Sequence, residues 1–128
     1  MTELISVMIV DDEKLMLEDL STMINWEAYG YQIIATAFNG KQALRKYREY
    51  HPQVIFTDIR MPFMDGIEMI SEIRKTDEKV SIVLLTAYED FSYAKAAIRL
   101  GITEYVIKSE ITEISLSDLL NRLKTNII

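Results

Sequence analysis

Apolar residues fall into short runs separated by amphipathic stretches, and the alternation repeats five times along the chain. The runs cover residues 4–10, 31–37, 54–57, 80–85 and 105–107 and are rich in the Val, Ile, Tyr and Phe that suit a pleated surface. Most are nearly all apolar, which predicts strands buried on both faces. The stretches between them carry apolar residues at helical spacing. Met16, Leu17, Leu20, Met23 and Ile24 form one such stripe, Ile67, Ile70 and Ile73 another, and Leu116, Leu119, Leu120 and Leu123 a last one. Breakers stand where segments should end, at Tyr29-Gly30, Asn39-Gly40, His51-Pro52, Asp65-Gly66 and Leu100-Gly101.

A (βα)5 string of this kind predicts an α/β fold, a doubly wound parallel sheet with helices on both faces and right-handed crossovers. For five strands the flavodoxin-like order 2-1-3-4-5 is expected, which puts a ligand site at the carboxyl ends of strands 1 and 3, where the order reverses. The 128 residues suit one domain, and no run approaches the ~18 apolar residues of a membrane-crossing helix. A cytoplasmic protein without membrane contact is expected. The chain has no Cys, so any metal site must use oxygen ligands or His51. A net charge of −6 argues against a direct grip on nucleic acid, which needs a basic face.

The strand ends bring chemistry to the predicted switch point. Strand 1 runs into Asp11-Asp12-Glu13 and strand 3 into Thr57-Asp58. Carboxylates this close oppose one another's ionisation unless a cation lies among them, and an oxygen-only set of this size suits Mg²⁺. The competing interpretation is that Asp11 to Glu13 merely cap the following helix. Strand 4 ends in Thr86-Ala87 and strand 5 in Ile107-Lys108. A carboxylate nucleophile, an acidic pair, a hydroxyl and an ammonium together form an inventory for phosphoryl transfer.

The motifs Val10-Asp11-Asp12-Glu13, Thr57-Asp58-Ile59-Arg60-Met61-Pro62-Phe63-Met64-Asp65-Gly66, Leu85-Thr86-Ala87 and Tyr105-Val106-Ile107-Lys108 resemble receiver (CheY-like) domains of two-component response regulators, over essentially the whole chain. Asn25-Trp26 and the segment Leu85 through Phe91 resemble the YesN subgroup, whose regulators usually carry a C-terminal AraC-type DNA-binding domain. No such domain stands within residues 1–128. The resemblance implies a signalling phosphoacceptor, not an enzyme acting on other substrates. It implies Asp58 as acceptor from a sensor histidine kinase, and Mg²⁺, replaceable by Mn²⁺, on Asp11, Asp12, Asp58 and the Arg60 carbonyl. Lys108 and Thr86 would contact the phosphoryl group, Thr86 and Tyr105 would form the switch, and Arg60 and Tyr88 would tune the phosphoryl lifetime, which their bulk should lengthen. Homodimerisation through the fourth helix, fifth strand and fifth helix is a further implication. Trp26 is expected to pack.

One departure stands out. Receivers usually have Pro after the Lys, joined by a cis bond, whereas this chain has Lys108-Ser109, and a non-proline cis bond costs about 2.5–4 kcal/mol. The expectation is a trans bond, a shifted loop and a Lys108 contact made only with phosphate and metal present. Three alternatives remain open: a phosphorylation-independent docking receiver, a Mg²⁺-dependent aspartyl phosphatase, and a flavodoxin-like cofactor binder. Arg60 stands where such a phosphatase needs an acid, and the acidic first loop is ill suited to a cofactor phosphate.

Overall fold

The structure, a computed structural model, describes residues 3–87 and 91–127. Five strands, β1 (Ile5–Val10), β2 (Tyr31–Ala37), β3 (Val54–Asp58), β4 (Ser81–Thr86) and β5 (Glu104–Ile107), form one sheet in the order 2-1-3-4-5. Every neighbouring pair is parallel. The helices are α1 (Lys14–Thr22), α2 (Gly40–Tyr50), α3 (Gly66–Arg74), α4 (Phe91–Arg99) and α5 (Glu113–Ile127).

Successive strand residues point to opposite faces, so one strand feeds two cores. Met8, Val10, Ile55, Ile82 and Leu84 join the residues of α2, α3 and α4. Val7, Ile9, Phe56, Val83 and Leu85 join those of α1 and α5. Trp26 packs as expected. It is buried, meets Phe56 edge-on at 5.5 Å and donates its indole N–H to the Leu20 carbonyl at 3.1 Å.

The breakers act through identifiable caps. Asn39 caps α2 by accepting the Gln42 N–H at 2.8 Å. His51, at φ 47°, ends that helix in the left-handed region, where the following Pro52 prevents continuation. Asp65 and Glu68 form a reciprocal capping box on α3. At the opposite end of α3, Arg74 donates to the carbonyls of Leu100 and Gly101, at 2.8 and 2.9 Å, just past α4.

One expectation needs correction, and one competing interpretation loses its support. Met23 and Ile24 lie beyond α1, which stops at Thr22, because Asn25 opens a 3-10 turn over Trp26–Tyr29 that leads into β2. Both side chains still pack on the core, so their spacing reported burial and not helix. Asp11 to Glu13 do not act as a helix cap either. Glu13 is the N-cap of α1 but makes no side-chain capping bond, and Asp11 accepts the N–H of Glu13, ahead of the first helical residue.

Candidate functional site

Register decides which side chains meet. Val10 pairs with Thr57, so the next residue on each strand, Asp11 and Asp58, leave the sheet side by side at the switch point. Asp58 pairs with Leu85, and Thr86 with Ile107, which brings the ends of β4 and β5 to the same rim. Lys108 follows at once.

Lys108 bridges the two buried carboxylates, with Nζ 2.7 Å from Asp11 Oδ2 and 3.1 Å from Asp58 Oδ2, and Glu13 Oε1 is 3.8 Å away. Asp58 Oδ1 accepts the Ile59 N–H at 2.8 Å. Burial is the main influence on Asp58; Lys108 opposes it, Asp11 adds to it, and the carboxyl is pushed up to about 6. Burial works against the Lys108 ammonium, but the Asp11 and Asp58 carboxylates outweigh it and its pKa is raised.

The donors fit a hard cation. Asp11, Asp12 and Glu13 each offer a carboxylate oxygen, all within 4.8 Å of one another. Asp11 Oδ2 is fully buried and accepts no aligned hydrogen bond among the described residues; only the nearby ammonium offsets its charge. Asp58 lies outside that acidic group and reaches it through Lys108. His51 is remote from this chemistry, its ring edge-on to Tyr47.

Described peptide bonds are all trans, Lys108-Ser109 among them, and the chain passes into a 3-10 turn over Lys108–Glu110. Two buried carboxylates demand a counter-charge, and Lys108 supplies it. Thr86 is buried and its hydroxyl donates to the Ala87 carbonyl at 3.0 Å. Tyr105 pairs with Leu84, on the same face as Thr86, and packs half-buried against the α3/α4-side core. Tyr88 lies outside the described residues.

The guanidinium of Arg60 lies over the Tyr93 ring of α4, 5.5 Å from its centroid, and both line a cleft with Asp12 and Asp65. Sequence reasoning missed Tyr93 and the Ile59 N–H. A backbone donor leaves no mark in side-chain identity, and Tyr93 reads as one more aromatic on an amphipathic helix.

A doubly wound sheet with buried carboxylates and a bridging ammonium at its switch point defines the class of α/β domains whose ligand site lies at the carboxyl ends of the strands. Within it, the chain matches the response regulator receiver domain family over residues 7–124 and belongs to that family. It is 33% identical over 102 residues to the uncharacterised transcriptional regulatory protein YesN of Bacillus subtilis, covering 80% of this chain and 28% of that protein. Its structure is similar to the REC domain of the Geobacillus stearothermophilus response regulator AraT, with TM-score 0.89, 30% identity and coverage of 98% and 95% of the two chains. A two-component transcriptional regulator AraC from Clostridium phytofermentans matches with TM-score 0.86, 36% identity and coverage of 96% and 95%. These likenesses put the chain in the YesN/AraC subgroup of receivers. It spans 28 to 40% of the length of the curated relatives it matches.

Proposed function

We propose that this receiver takes a phosphoryl group from the phosphohistidine of a sensor kinase onto Asp58 and switches an AraC-type transcriptional output carried elsewhere in a longer regulator. The observation that carries this is the Asp11–Lys108–Asp58 bridge at the switch point, a buried nucleophile with its counter-charge in place. A carboxylate oxygen of Asp58 attacks phosphorus, and the O–P bond forms as the P–N bond breaks, its electron pair staying on the imidazole.

Asp11, Asp12, Asp58 and the Arg60 carbonyl would hold Mg²⁺, or Mn²⁺ in its place. When bound, the ion supplies charge neutralisation between the attacking carboxylate and the transferred oxygens. Lys108 holds the carboxylates together until their charge is otherwise met, then turns to a phosphoryl oxygen. Thr86 gives up the Ala87 carbonyl to donate to another, and Tyr105 moves into the vacated space. Arg60 and Tyr88 shield the phosphoaspartate and lengthen its life. The same interpretation includes a cytoplasmic location and a phosphorylation-promoted homodimer through α4, β5 and α5.

Intact mass after incubation with acetyl phosphate and Mg²⁺ tests the chemistry. One phosphoryl adduct is expected, absent from Asp58→Ala and after EDTA, and persisting for minutes. No adduct in the wild type would favour a docking receiver that works without phosphorylation.

A further inference from the structure

Arg60 follows the acceptor by two residues, and Tyr93 stands in the first turn of α4. Their stack joins the loop after β3 to a helix whose own residues lie outside the acidic group. The contact is placed to break easily. Tyr93 is 42% exposed, so water competes for the guanidinium, and an exposed cation–π pair is weak. A phosphoryl group on Asp58 would bring charge and strong acceptor oxygens close by, and a planar guanidinium fork binds such oxygens far better than it binds a wet ring.

We propose that Arg60 is a phosphoryl-sensing residue resting on Tyr93: when Asp58 is phosphorylated, the guanidinium leaves the ring for a phosphoryl oxygen and the first turn of α4 loses this contact with the acceptor loop. This rests on Asp58 being the acceptor. It adds a route to α4 separate from Thr86 and Tyr105, because Arg60 touches α4 directly and needs no rearrangement of β4 or β5. Coupling of this kind is reciprocal, so whatever weakens the stack must strengthen binding of the phosphoryl group.

The test titrates Mg²⁺ with beryllofluoride, a phosphoryl mimic, into wild type, Tyr93→Leu, Tyr93→Phe, Arg60→Ala and the Arg60→Ala/Tyr93→Leu double variant, by calorimetry. Tyr93→Leu should bind about 3–5-fold tighter than wild type, since the competing ring is gone, and Tyr93→Phe, which keeps a ring, should stay within about twofold. Arg60→Ala should bind more weakly, and adding Tyr93→Leu to it should change nothing further. Amide exchange in the first turn of α4 should quicken when wild type binds the mimic and should already be quick in Tyr93→Leu. Equal affinity of wild type and Tyr93→Leu, or a Tyr93→Leu gain that survives in the Arg60→Ala background, would overturn the proposal while leaving the acceptor assignment intact. A wild type that does not bind the mimic at all overturns both. Melting temperatures check that the variants fold, and the Arg60→Ala arm probes the same contact from the loop side.

Discussion

Replacing Asp58 by Asn should make the metal-free domain more stable, although it removes the residue on which the proposed chemistry depends. One ammonium serves two buried carboxylates, 2.7 Å from Asp11 and 3.1 Å from Asp58, so the site carries an excess negative charge. Burial chiefly, with Asp11 adding to it and Lys108 opposing, pushes the Asp58 carboxyl up to about 6, against about 3.9 in an unfolded chain. Between those values the folded state holds the proton more tightly, so stability falls as pH rises through the window. Above it the whole deficit is present, about two pK units or roughly 3 kcal/mol as an upper figure. The substituted amide would keep an oxygen for the Ile59 N–H and leave Lys108 to Asp11, without the charge. Asp58→Asn should therefore gain about 1–3 kcal/mol at pH 7.5, a rise in Tm of roughly 4–12 °C for a domain of this size. Calorimetric melting in EDTA at pH 7.5 and pH 4.5 measures it, and the gain should shrink at the lower pH. A variant no more stable than wild type at pH 7.5, or a gain equal at both values, would refute the account of the site's charge.

Lys108→Ala should destabilise the protein by about 2–4 kcal/mol in urea unfolding, because two buried carboxylates lose their counter-charge, and adding Asp58→Asn should restore a good part of that loss. Gly66→Ala places a Cβ 2.1 Å from the Asp58 carbonyl oxygen, where Gly66 now donates its N–H to the Ile59 carbonyl at 2.7 Å, so it should cost about 2–4 kcal/mol and lower the yield of phosphoryl adduct in intact mass. Mg²⁺ affinity, followed by titration from pH 7 to 5, should weaken about tenfold per unit once the pH drops below the Asp58 value of about 6; an affinity flat across that range would argue against Asp58 as a ligand.

The fold was legible because each strand carries its own boundary marks. Tyr31–Ala37 is framed by Gly30 and by the Asn39 cap, and the remaining strand ends fall within a residue of the expectation. Met23 and Ile24 show where periodicity misleads: burial on the α1/α5 side persisted after the chain had left the helix. The shift in pairing register between Val7 and Met8 has no counterpart in the sequence pattern. At the site, residue types at strand ends indicated which side chains converge, but not which partners each would take. The Asp11–Lys108–Asp58 bridge itself was not foreseen, because sequence supplies no measure of how strongly buried Asp11 and Asp58 compete for a cation. The trans bond at Lys108-Ser109 agrees with the expectation drawn from the missing proline, although the sequence alone left the cis form open.

Arg74 gives the molecule an asymmetry with mechanical meaning. Its guanidinium grips the carbonyls of Leu100 and Gly101, so the far end of α4 is pinned to α3. At the near end, one described tie to the acceptor loop is an exposed ring. If the ring contact is released as proposed, the helix would act as a lever with its fulcrum at Arg74. A small displacement beside Asp58 would swing the helix instead of sliding it, and the largest change in presented surface would come at the end nearest the chemistry.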